Sequence, residues 1–165
     1  MASRRRLTLD TMLARDLLEQ RSQRESTEAI LDLAREGHCE IAVTARIRED
    51  VPDDPLASRV DELESLGIEV VGSITRLGYW ILGRDYLASD DFVAFEEEIN
   101  ERRENGERVP DWRDLDHLHA HFVQKRDVFL TRDVPILELA DELRGRFGIV
   151  VMRPDQYLKP RPTPA

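Results

Sequence analysis

At 165 residues the chain is about one domain long, enough to bury a core without disulfides or a structural metal. Its single cysteine, Cys39, excludes an internal disulfide and a multi-cysteine zinc site and fits a reducing cytoplasm. With 24 basic against 34 acidic residues the formal net charge is -10, which argues against coating nucleic acid through bulk charge; a polyanion would have to meet a local basic patch or a bound cation.

The start, Met-Ala-Ser-Arg-Arg-Arg, has the charge of a signal peptide, but the Leu-Thr-Leu-Asp that follows lacks the apolar run. No stretch approaches the length of a membrane span, so a cytoplasmic protein with no membrane contact is expected. Leu7 to Leu9 reads as a short buried strand and Thr11 to Gln20 as a helix with Leu13 and Leu17 on one face. Ser22 and Glu25 have capping-box spacing before a helix that turns Ile30, Leu33 and Ala34 inward and stops at Gly37. Glu40 to Thr44 is the next strand. Asp54-Pro55 opens a helix carrying Leu56, Val60, Leu63 and Leu66, Gly67 stops it, and Ile68 to Val71 follows as a strand.

From Gly72 to Leu87 the pattern weakens into a loop or an irregular hairpin around Gly78, Gly83 and Trp80. Asp90 to Arg103 is helical with Phe92, Phe95 and Ile99 inward, and Asn105-Gly106 breaks it. Asp111 caps a helix carrying Leu115, Leu118 and Phe122; Val128 to Thr131 is a strand; Pro135 opens a helix with Ile136, Leu139, Ala140 and Leu143 inside. Ile149 to Met152 is the last strand. The expected organisation is one domain over 1–158 and a proline-rich flexible tail over 159–165. Strands alternating with helices predict a three-layer α/β/α fold with a mainly parallel central sheet, in which ligands bind outside the C-terminal ends of the strands.

That rim is where carboxylates recur. Asp10 ends the first strand and Asp133 lies just past Thr131 at the end of another, while Asp116 stands in the first turns of the preceding helix, in Asp-His-Leu-His-Ala-His. Each alone reads as a helix cap or a wet surface residue. Together they would repel one another, and a hard divalent cation with oxygen ligands, Mg²⁺ or Mn²⁺, would relieve that. His117 and His121 have the spacing of paired zinc ligands, but Leu118 stands where a zinc protease needs Glu, so His117, His119 and His121 read as surface or core histidines. Asp111 and Asp114 read as capping and surface residues.

From about Leu7 to Leu158 the chain resembles the PIN-domain family of metal-dependent nucleases, most firmly over Asp116 to Asp133. The resemblance matches Asp10 to the family's first acid, Asp116 to its third, Asp133 in Thr-Arg-Asp to its fourth, and Thr131 to its hydroxyl residue. Its second acid falls on Glu49 or Asp50, with Asp50 favoured. Met12 stands where the family often has Asn or Ser. The resemblance implies a Mg²⁺- or Mn²⁺-dependent endoribonuclease with Asp10, Asp50, Asp116 and Asp133 on the metal and Thr131 orienting them. It also leaves open a toxin held by an antitoxin protein, and a homodimer. The alternative is a catalytically weak PIN-like binding or scaffold module. RNA would be met by the metal and by Arg132 and Arg126.

Overall fold

The structure is a computed structural model describing residues 4–50, 55–72 and 89–159, with the backbone alone for residues 49, 50 and 55–58. The strands are β1 (Arg5–Leu9), β2 (Cys39–Thr44), β3 (Glu69–Val71), β4 (Val128–Leu130) and β5 (Val151–Met152). The helices are α1 (Thr11–Leu18), α2 (Glu25–Arg35), α3 (Ile47–Asp50), α4 (Pro55–Ser65), α5 (Asp90–Glu104), α6 (Trp112–Val123), α7 (Val134–Glu138), α8 (Ala140–Phe147) and α9 (Pro154–Tyr157).

Among the described residues the strands form one sheet in the order β3-β2-β1-β4-β5, every adjacent pair parallel. The expected α/β fold with a parallel central sheet is therefore what the chain adopts. Two apolar layers cover the two faces, because side chains alternate across a strand. Leu7, Leu9, Val128 and Leu130 pack with Leu13, Ile30, Val60 and Leu63 from α1, α2 and α4. Phe129, between Val128 and Leu130, faces the other way into Phe92, Phe95, Leu118 and Leu143 from α5, α6 and α8. No helix among the described residues is long and apolar enough to cross a membrane.

The strand order carries the functional geometry. From β1 the chain winds outward through β2 and β3, then returns to β4 on β1's other side and continues to β5. Direction reverses between β1 and β4, which is where open parallel sheets leave a crevice at their C-terminal edge. Leu9 pairs with Leu130 in register, so Asp10 and Thr131 leave the sheet side by side.

Local signals hold with some differences. At the end of α2, Gly37 adopts φ +81, and the bonds from Gly37 N to Ala34 O (2.9 Å) and from His38 N to Leu33 O (2.9 Å) close a Schellman motif. The capping box expected at Ser22 and Glu25 does not form, because α2 begins at Glu25 behind Arg24, whose backbone is already helical and whose side chain makes no cap bond. The helix expected from Pro135 is split at Leu139 (φ −89, ψ 3), where a tighter bond from Leu139 N to Ile136 O (3.2 Å) interrupts it. The segment read as a loop or hairpin, and Asp54 and Leu56 side chains, lie outside the described residues, as do residues 160–165 of the tail.

Candidate active site

Asp10 occupies the N-cap position of α1 in extended conformation, yet its carboxylate makes no cap hydrogen bond. It is 5% exposed, and its Oδ2 accepts instead from the Thr131 hydroxyl at 2.6 Å. The Thr131 oxygen in turn accepts the Asp133 backbone N–H at 2.9 Å, so the hydroxyl proton is aimed at Asp10. Asp133 caps α7 through Oδ1, which accepts from Ile136 N at 3.1 Å. One short relay thus ties the ends of β1 and β4 and leaves carboxylate oxygens at the rim.

Burial pushes the Asp10 carboxyl above the usual carboxylate range, and the Asp133 charge adds to this; His117 and the Thr131 bond pull it back. His117 projects from α6 between two threonines, its Nε2 2.9 Å from Thr11 Oγ1 and its Nδ1 bonded to Thr44 Oγ1. It therefore bridges the first turn of α1 and the end of β2.

Asp111 and Asp114 form a reciprocal capping box at the start of α6, with Asp111 N donating to Asp114 Oδ2 at 3.0 Å. Asp114 is more than a cap. Burial, and then the charges of Asp111, Asp10 and Asp133, push its carboxyl up to about 7. Asp116 has a different environment. It is fully buried, with Oδ2 3.6 Å from Arg46 Nε, and the Arg46 guanidinium lies 4.3 Å over the Trp112 ring. At 100° per residue, two positions carry a side chain about 200° round the helix, so Asp114 and Asp116 face opposite ways. The Asp114 carboxyl feels the charges of Asp10 and Asp133, and Asp116, expected as a ligand, pairs with Arg46.

Helical periodicity could have found this: Asp114, His117 and His121 share one face, and Trp112 and Asp116 another. His121 is buried with Nδ1 2.8 Å from Thr8 Oγ1, and burial with the Arg126 charge pushes it down to about 3. His119 stacks on Phe92 at 4.2 Å and accepts from Ser89 N at 3.2 Å. The three histidines are core residues with separate partners.

Arg126, expected to face RNA, is buried at the opposite edge of the sheet. Its guanidinium donates to Leu7 O (3.0 Å) and Glu40 O (3.4 Å) and pairs with Glu69 (3.4 Å), at or near the starts of three strands. It precedes β4, so it cannot reach the rim. Arg132 does lie at the rim, paired with Asp16 and bonded to Gln23 O at 3.1 Å. Glu49 and Asp50 close α3, one turn past β2, with side chains outside the described residues.

No protein-family model and no curated protein matches the chain. Among solved structures it is similar to VapBC2 from Rickettsia felis bound to a DNA fragment from their promoter (9% identity, 90% of this chain and 98% of that one, TM-score 0.49). It is also similar to FitAcB from Neisseria gonorrhoeae (18% identity, 90% and 97%, TM-score 0.49) and to FitAB bound to an IR36 DNA fragment (17% identity, 90% and 94%, TM-score 0.47). Strand order and parallel pairing by themselves define the fold.

The donor set can be tested against a metal. Among the described residues no three His, Cys, Asp or Glu side chains gather as a metal-holding group. Mg²⁺ commonly takes one or two carboxylates and completes its octahedron with water and substrate phosphate. Asp10, with Asp114 and Asp133 acting on it or through it, fits that requirement in charge and in oxygen chemistry.

Proposed function

We propose that the chain is a divalent-metal-dependent nuclease of PIN type that hydrolyses phosphodiester bonds in RNA. The observation that carries this is Asp10: it stands where a helix cap belongs, does not cap, and is held by a threonine hydroxyl against a desolvated cluster of like charges. A buried carboxylate with a raised pKa at a sheet's switch point is a functional-site signature. One or two of Asp10, Asp133 and Asp114 would hold the ion directly and the rest through water, Asp114 standing beside the position the sequence gives to Asp116, with Asp50 or Glu49 as the further candidate.

A cation bound there would lower the pKa of an attacking water and neutralise charge on the leaving oxygen. Thr131 fixes Asp10 Oδ2, and a bound ion would use the carboxylate's remaining lone pairs. His117, clamped by Thr11 and Thr44, holds α6 against the ends of β1 and β2 and thereby sets where Asp114 projects. The buried Arg46 and Asp116 pair anchors the opposite face of the same helix. An antitoxin seated over the rim belongs to the same proposal.

The test combines melting with cleavage. Mn²⁺ should raise the melting temperature of the parent, because a ligand bound only by the native state stabilises it. Asp10→Asn and Asp114→Asn should abolish that rise, together with chelator-sensitive cleavage of single-stranded RNA. Metal binding without cleavage of any RNA would favour the scaffold module. An undiminished Mn²⁺ response in both variants would refute the metal site.

A further inference from the structure

Beside the acids lies a cavity of about 570 Å³, lined by Met12, Asp16, Arg21, Ser22, Gln23, Arg132 and Arg153. Three separate connections supply its arginines: Arg21 follows α1, Arg132 follows β4 and Arg153 follows β5. It adjoins the acid rim directly, since Met12 is two residues from Asp10 and Arg132 lies between Thr131 and Asp133. Against Asp16 the arginines leave the lining two positive charges in excess, in a protein of net charge -10. Three guanidiniums converging on one cavity of an acidic protein make a local basic feature that an anion could share with their carboxylate partners.

The arginines are not equivalent. Arg132 is 17% exposed and held by the buried Asp16, so its guanidinium is fixed in place with further N–H groups to offer. Arg21 and Arg153 are 48% and 46% exposed, paired at the surface with Glu19 (2.5 Å) and Asp155 (3.2 Å). Exposed pairs of this kind contribute little and can exchange partners, whereas phosphate offers guanidinium a bidentate match. Met12, 38% exposed, adds an apolar wall beside them, where a base could lie. The volume falls within the range of small-ligand sites.

We propose that this cavity seats a phosphate-bearing nucleotide of the RNA strand next to the bond held over Asp10; the assignment rests on the nuclease reading. Met12, in place of a hydrogen-bonding residue, then belongs to the substrate subsite.

The test measures binding without metal. A 3′-labelled hexauridylate RNA is titrated in excess EDTA against the parent, against an Arg21→Ala, Arg153→Ala double variant, and against an Arg35→Ala, Arg59→Ala double variant with the same charge loss elsewhere. The cavity variant should bind at least tenfold more weakly, and its log-log salt slope should fall by about 1.4, two contacts at about 0.7 each. The control pair should stay within twofold of the parent. A peptide nucleic acid of the same bases should not bind. Equal losses in both double variants, no RNA binding by the parent, or tight binding of the uncharged strand would each overturn the proposal. Displacement of the RNA by inorganic phosphate at equal concentration would overturn it in favour of a small-anion site. The two readings fail separately. Cleavage that needs Asp10 but ignores Arg21 and Arg153 would sink the subsite alone, while arginine-dependent binding with no metal-dependent cleavage would sink the nuclease.

Discussion

Two aspartates two positions apart on α6 do opposite things to stability. Asp116 pairs with a buried Arg46, and removing one partner of a buried pair leaves the other charge desolvated. Asp116→Asn should therefore destabilise the metal-free protein by about 3–5 kcal/mol in denaturant unfolding. Asp114 is penalised for being charged. Its folded pKa lies near 7, above the unfolded value of 3.8, so its contribution is fully present below about pH 4 and is lost as pH rises through 7. Asp114→Asn removes that loss and should stabilise the apo protein at pH 8 by about 1–3 kcal/mol. Apo unfolding curves in which Asp116→Asn is neutral, or Asp114→Asn is the damaging change, would reverse the assignment of the two faces.

His121 gives the acid side of the same curve. Its folded pKa is about 3 against an ordinary value of 6.5, so the unfolded chain binds the extra proton between these values and stability falls as pH drops through that window. The loss should approach about 1.4 kcal/mol per pH unit below 6. His121→Gln, which keeps a polar partner for Thr8, should flatten the dependence between pH 6 and 4; an unchanged slope would place the acid sensitivity elsewhere.

At the scale of elements, helix stops were readable because they depend on a few adjacent residues. Gly67 adopts φ +86 after α4, with bonds from Gly67 N to Glu64 O and from Ile68 N to Leu63 O, both 3.0 Å. A Cβ there would meet nothing within 4 Å, so Gly67→Ala isolates the backbone cost, about 1–2 kcal/mol for an L residue in the left-handed region. Thermal unfolding of the variant checks this. The start of α2 departs from its signal for the complementary reason: Ser22 and Glu25 have the right spacing, but Arg24 is already helical, and spacing alone does not say where the first turn begins.

For the whole molecule, β4 joins the two cores. Phe129 packs on one face of the sheet while Val128 and Leu130 pack on the other, so damage to either layer reaches both through β4. Phe129→Ala should cost about 3–5 kcal/mol and still give one transition. Coincident far- and near-ultraviolet circular dichroism curves would confirm the coupling; two separated transitions would show the layers unfolding independently.

By itself the sequence determined the alternation of strands and helices, the apolar faces and the stops, because these follow from local periodicity and backbone preference. It also placed Asp10, Thr131 and Asp133 at strand ends, and parallel pairing brought those ends to one edge. What only the tertiary structure decided was the partner of each charge. Arg126 and Arg132 look alike in the chain, yet one crosses the sheet's N-terminal edge and the other the rim. Asp114 and Asp116 look interchangeable, yet one closes a capping box with Asp111 and feels the Asp10 charge while the other pairs with the buried Arg46. Arg21 and Arg153, 132 positions apart, meet at one cavity only because β5 closes the sheet beside β4. Periodicity sets which residues point inward; which of them meet is set by strand order, and strand order is a property of the whole packed chain.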